Sequence, residues 1–303
     1  MNQIIQKSKS KNKWYKNYKI TAPILFLMPA CLILIIFTIV PSLSALVLSF
    51  TKWDMMSHIE FIGIDNYRNL FKDITFLKSF KNTGLYVLGY VPIVVIFSLI
   101  IALLLNERWL KGKNLFRVTF YLPCIISSVA ISMIWKWIYN PAFGLLNQFI
   151  GLFGIHRQFW LEDPRFAIPA LVLMTVWQMF GYNVVLFMAG LLSIPSSYYE
   201  AASVEGASKL QTIRFIVLPL LAPTSIFVIV MSIITSFQVF DQVLILGDAS
   251  GPPKSLMVTV YYLYRVSFGS FKMGYGATIG MVLFLSILII TIIQFSYYTR
   301  RFE

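Results

Sequence analysis

The residues able to do chemistry in this chain are few, and most are set in apolar surroundings. Trp177, Gln178, Tyr182 and Asn183 interrupt one long apolar stretch, and Gln238, Asp241 and Gln242 close another. Polar groups at such depth are costly and tend to face a cavity or a neighbouring helix. Amides, a carboxylate and aromatic faces are the groups that would grip a polyhydroxylated solute. The same groups could equally serve to bond adjacent helices, and Asp241 could sit at the outer interface instead. Hydrolytic or metal chemistry has little to work with. The only histidines, His58 and His156, fall in different loops, and Cys31 and Cys124 fall inside apolar runs with no ligand spacing. The two cysteines read as small buried apolar residues. No Gly-x-x-x-x-Gly-Lys-Ser/Thr phosphate loop occurs, so the chain cannot supply an ATP site of that kind.

The elements that hold these residues follow from composition. Of 303 residues 58 % are hydrophobic and only 12 % charged, well below the usual quarter for soluble domains. So much apolar surface needs a bilayer as solvent. The net charge of +13 is spread between apolar runs, with no nucleic-acid motif, and therefore points to a membrane face.

Uncharged runs near the length of a spanning helix give about six transmembrane helices. They are Ile20–Thr51, Asn82–Asn106, Val118–Trp135, Phe166–Leu192, Phe215–Phe240 and Met273–Thr299, with Pro219 marking the true start of the fifth. The tail 1–19 carries six lysines, and Arg108, Lys111, Lys113 and Arg117 make the second inner segment basic. The positive-inside rule then puts both termini in the cytoplasm. Trp14, Trp53, Trp109, Trp135, Trp137 and Trp160 lie near span ends as interfacial belts require, whereas Trp177 is expected to face protein or a cavity. Outside the spans, Phe61–Tyr67 reads as a turn entering a short amphipathic helix, 140–165 as loop, and Gly251–Pro252–Pro253 as a breaker.

The segment Ile194–Pro223 is the most informative. Pro195 should stop the fourth helix. Ser197 with Glu200 and Ser208 with Gln211 both have capping-box spacing, so two short helices should start there. Glu200 then lies in a first turn, where negative charge suits the helix dipole. Gly206 can take the left-handed conformation that ends a helix, and the second helix should stop near Leu218, before Pro219. Ala201, Ala202, Ser203 and Ala207 are expected to be exposed. Small side chains there would let another protein approach the backbone closely, as a docking knob requires.

These residues also carry a family resemblance. Glu200-Ala201-Ala202, then Gly206, Ile216 and Leu218-Pro219 at their spacing resemble the EAA motif of permease subunits of binding-protein-dependent ABC importers. Glu205 replaces the usual aspartate before the glycine, and Leu210 and Ile213 stand where aromatic residues are common. Phe61–Tyr67, Asn82-Thr83, Gly190–Pro195, Gly251-Pro252 and Gly274–Ala277 are similar to the sugar-type branch.

The resemblance implies an all-α integral membrane fold of the type I importer permease class, in a bacterial-type cell membrane. It implies a basic tail at 1–19, a first helix and outer loop at 20–81, and a five-helix core at 82–303 with the EAA loop at 194–218. Glu200, Ala201, Ala202, Glu205, Gly206 and Ala207 would form the coupling helix. The implied partners are a second homologous permease, a cytoplasmic ATPase dimer carrying ATP and Mg, an extracytoplasmic binding protein, membrane lipid and a sugar or oligosaccharide. The chain itself would bind no cofactor and would not be an enzyme. Glycerol phosphate or another polar solute is the alternative cargo, and a secondary transporter a more distant one. Trp177, Gln178, Tyr182, Asn183, Gln238 and Asp241 are the residues expected along the solute path.

Overall fold

A computed structural model describes residues 22–107, 111–247 and 254–302. The lysine-rich tail, Arg108, Trp109 and the Gly251–Pro252–Pro253 breaker lie outside the described residues. The chain is almost wholly helical. Helix α1 spans Ala22–Leu48, and a hairpin of β1 (Thr51–Lys52) and β2 (Glu60–Phe61) follows. Short α2 (Asp65–Leu70) leads to α3 (Ile74–Asn106), which begins eight residues earlier than the apolar run suggests. Charged Lys78 and Lys81 hid that start, although Asp73 caps it by accepting from the backbone N–H groups of Thr75 and Phe76.

Two of the expected spans are interrupted. The third consists of α4 (Lys113–Ile125) and α5 (Ser128–Ile138), bent by 95°. Pro123 and the extended Ile126 and Ser127 make the break. After α6 (Leu145–Gly151) and α7 (Ala167–Leu192) come α8 (Ser196–Val204) and α9 (Lys209–Leu220). The fifth span is α9 joined to α10 (Ala222–Phe237) at a 67° elbow. Helices α11 (Asp241–Leu246) and α12 (Thr259–Tyr264) precede the last span, α13 (Met273–Phe302). Among the described residues, four helices are long and apolar enough to cross a bilayer, and six spans result when each bent pair counts as one.

Pro219 does not start the fifth span, as the sequence suggested, and the preceding helix does not stop at Leu218. The chain widens instead into a π turn at Ile213–Val217, where the N–H of Leu218 donates to Ile213 O. A proline ring clashes with the carbonyl four residues back. Here that carbonyl belongs to Phe215, inside the widened turn. The same device carries α1 past Pro41: a π turn at Ile35–Ile39 precedes it, with Val40 N donating to Ile35 O.

The core centres on α3 against α7, with α4 and α10 beside them. Close approach depends on glycines that carry no Cβ. A Cβ on Gly181 of α7 would collide with Phe120 O on α4, and one on Gly276 would collide with Ser267 Oγ. Helix α1, by contrast, has no buried residue and meets the rest at its C-terminal half, against α13. Cys31 is therefore exposed on it, not buried, while Cys124 is half-buried and donates to Gln178 O at 3.0 Å.

The segment Phe61–Tyr67 acts as a fastener. Gly63 turns the chain at φ +58°, and the Asn66 amide donates to Ser49 O and Thr51 O at 3.0 and 2.9 Å. Tyr67 and Ser49 share a hydroxyl bond at 2.8 Å, and Thr278 of α13 donates to Ser49 O. Asp73 accepts from Tyr262 and Tyr275 hydroxyls at 2.6 and 2.9 Å, joining α3 to α12 and α13. Burial acts to raise the Asp73 pKa, but the two tyrosine hydroxyls and the Phe76 and Thr75 N–H groups outweigh it and hold it below the ordinary value.

Candidate solute path and coupling loop

The interrupted third span meets the short helix that follows the fifth. Helix α11 packs on α5, and Ser128 at the start of α5 donates to Asp241 Oδ2 at 3.0 Å. Backbone left unpaired at membrane depth is tolerated only against protein or a water-filled cavity. Both are present. Lys136 of α5 donates to Gly247 O at the end of α11. On the other side of the break lies a cavity of about 370 Å³.

The gap between Phe237 and Asp241 turns Gln238, Asp241 and Gln242 toward the space. Its opposite walls are Tyr86 and Tyr90 of α3 and Thr175 and Met179 of α7. The tyrosine rings stack with centroids 5.5 Å apart. Asp241 in the first turn of α11 also suits that helix's dipole. Among the described residues, no lysine or arginine lines the cavity. Stacked aromatic rings, hydroxyls, amides and one carboxylate can hold an uncharged polyhydroxylated molecule by ring faces and multiple hydrogen bonds.

Of the six residues expected along a solute path, Gln238 and Asp241 line this space. Gln178 stands behind it, its Oε1 3.5 Å from Gln242 Nε2. Trp177 is half-exposed with its ring 5.7 Å from that of Trp135, so it does not face the cavity. Tyr182 is partly exposed, Asn183 is buried, and neither lines the space. Tyr86 and Tyr90 were missed by sequence reasoning. Their signal was a pair of tyrosines one helical turn apart inside an otherwise apolar run.

At the other end of α7, the helix–glycine–helix loop forms. Helix α8 begins after Pro195 with no side-chain cap, so the expected Ser197–Glu200 box is absent and Glu200 lies beyond the first turn. Its end is as expected. Gly206 has φ +75°, and the N–H groups of Ala207 and Gly206 donate to Ala202 O and Ser203 O, a Schellman closure. The second box forms: Ser208 N donates to Gln211 Oε1 and Gln211 N to Ser208 Oγ. Ala202 is buried, contrary to expectation, because it faces the bundle. Glu200, Ala201, Ser203, Val204 and Glu205 are exposed, Val204 to 89 %. Lys209 pairs with Glu107 at 2.8 Å, fastening the loop to the end of α3.

Residues 76–302 match the family described as binding-protein-dependent transport system inner membrane component. The probable ABC transporter permease protein YesP of Bacillus subtilis is 37 % identical, over 89 % of this chain and 88 % of that protein. The arabinooligosaccharides transport system permease protein AraP of the same species is 30 % identical, over 91 % of this chain and 88 % of that protein. A crystal structure of a bacterial ABC transporter involved in alginate import superposes with a TM-score of 0.84 at 22 % identity, over 96 % of this chain and 100 % of the other.

Proposed function

The chain belongs to the binding-protein-dependent transport inner-membrane family, and from that premise we propose that it is one permease half of an ATP-driven importer of a sugar or oligosaccharide. The family is one of multi-pass inner-membrane components that work with a binding protein. The observation that carries the reading is the exposed loop at 196–212, a short helix closed at Gly206 and followed by a boxed second helix. An ATPase dimer carrying ATP and Mg grips Glu200, Ala201, Glu205, Gly206 and Ala207, while buried Ala202 seats the helix on the bundle. Closure of the ATPase moves the loop as a body and switches access to the cavity. A second permease completes the path, and both termini and this loop face the cytoplasm.

The solute is bonded by Gln238 and Asp241 and stacked on Tyr86 and Tyr90, with Gln178 holding Gln242 in place. Trp177, Tyr182 and Asn183 stand apart from this cavity and complete the path in another state or support its walls. The name of the AraP relative and the uncharged polyhydroxyl chemistry of the lining favour a neutral saccharide. A phosphorylated solute such as glycerol phosphate is the second reading, and the lack of cationic lining among the described residues counts against it.

The test is uptake by the assembled complex in vesicles, with a panel of labelled arabino-oligosaccharides and glycerol phosphate. ATP-dependent accumulation of a saccharide, and cross-linking of Ala201→Cys to the ATPase, are expected. Uptake without ATP, or no cross-link from an intact active complex, overturns the coupling assignment.

A further inference from the structure

We propose that the segment between α5 and α7 is an interfacial anchor that beds into anionic phospholipid at the end of the bundle opposite the coupling loop. Residues 141–155 contain no charged side chain. They fold into a built structure, not a loose loop. Asn147 is its hub: its amide donates to Asn140 O, Pro141 O and Gln158 O, and its carbonyl oxygen accepts from Gln158 N and Trp160 Nε1. With that polar core turned inward, the apolar side chains turn outward. Leu145 and Phe149 on the exposed side of α6 and Leu152 just past its end follow one another at helical spacing, and Phe153 packs edge-on against Phe149. Leu152 is 81 % exposed and Phe153 69 %.

Water is a poor solvent for such a ridge, and exposed apolar patches of this kind mark an interaction surface. Its continuity identifies the occupant. Helix α6 packs on α5, whose exposed face of Met133, Ile134 and Trp137 already belongs to the apolar girdle of the bundle. The ridge extends that girdle to its rim. Directly beside it is a cavity of about 350 Å³ lined by Ala142, Asn147, Gln148, Ile155, His156 and Arg157. Among the described residues, no carboxylate pairs with Arg157. Apolar side chains on one face and a cation, with the Gln148 amide beside it, at the edge form the pattern of an element lying in the headgroup boundary. The cavity takes the phosphate of an anionic lipid, and the ridge takes its acyl chains. This anchor stands independently of the cargo and of the coupling scheme.

The experiment uses the full complex in vesicles of phosphatidylethanolamine and phosphatidylglycerol. In a background of Cys31→Ala and Cys124→Ser, a nitroxide is attached at Leu152→Cys or, as control, at exposed His58→Cys. Oxygen is expected to relax the label at 152 more than a water-soluble nickel chelate does, with the reverse order at 58. Equal access of the chelate at both sites places the ridge in water and overturns the anchor. Shielding from both reagents at 152 means protein covers it, which also overturns the proposal. Arg157→Glu is expected to lower the phosphatidylglycerol retained through purification about fivefold, the factor one interfacial basic residue supplies. Unchanged retention removes the anionic seat.

Discussion

Ser128 and Asp241 stand 113 residues apart in sequence, yet the hydroxyl of one donates to the carboxylate of the other at 3.0 Å. Each begins a helix that follows a break, so this one bond ties the second half of the third span to the short helix that follows the fifth. Asp241→Leu removes the acceptor, the dipole partner and a cavity-lining group at once. Uptake is expected to fall at least about tenfold, the scale of one charge-assisted hydrogen bond. Asp241→Asn keeps an acceptor and should retain most activity. Equal uptake by wild type and Asp241→Leu, at equal complex levels, would show that the link is dispensable.

Gly206 sits at φ +75° with open space where a Cβ would go. A substitution there is strained by backbone alone, about 1–2 kcal/mol for an ordinary L residue. Gly206→Val is expected to reduce transport and uncouple ATP hydrolysis from solute, while Gly206→Asn is tolerated and Gly206→Pro abolishes uptake. The measurement is uptake against ATPase rate in one preparation. Uptake by Gly206→Val equal to that of Gly206→Asn would contradict the assignment of strain.

The helix–glycine–helix loop within 194–218 was legible because capping and glycine rules act locally, over three to five residues. Ser208, Gln211 and Gly206 obeyed them. The Ser197 box failed because Pro195 already caps the helix two residues earlier, leaving Glu200 out of reach. The interrupted spans were not legible. Pro123 and Pro219 look alike in an apolar run, and each lies shortly before a bend, of 95° and 67°, but only Pro219 follows a π turn. What distinguishes them is tertiary: α5, beyond the first bend, packs on α11, whereas α10, beyond the second, packs on α3. Tyr86 and Tyr90 were overlooked for a related reason. Hydropathy treats tyrosine inside a span as part of the wall, and only the break across from them makes that wall a lining.

Asp73 offers a pH test. Its pKa is held below the ordinary carboxylate value, so its contribution to stability is present above that value, about 3.9, and is lost as pH falls through the lower folded value. Asp73→Asn should therefore lower the unfolding temperature near neutral pH by the equivalent of about 1–2 kcal/mol, discounted for partial exposure. The gap between variant and wild type should close below about pH 4. A gap that is constant from neutral pH into that range would mean the charge on Asp73 contributes nothing.

Gly181 is the point where α7 touches the backbone of α4. Because Phe120 O cannot swing away as a side chain could, Gly181→Ala must push the helices apart, at a cost of about 1–3 kcal/mol. Gly84 faces open space, so Gly84→Ala is the matched control and should be close to neutral. Thermal unfolding of the detergent-solubilised complex reads the difference. Equal midpoints for the two variants would mean that α4 and α7 are not held at this contact.

The π turn at Ile213–Val217 does more than shelter a proline. Without it the chain would have to stop before Pro219 and restart, leaving a slack joint between the loop and the bilayer. With it, Lys209–Leu220 is one uninterrupted lever, twelve residues or about 18 Å long. It is pinned at its near end by the Lys209–Glu107 ion pair and ends in the 67° elbow before Ala222. Under the proposed coupling scheme, displacement entering at Ser208 would pass along that arm and emerge at the elbow as torque on α10.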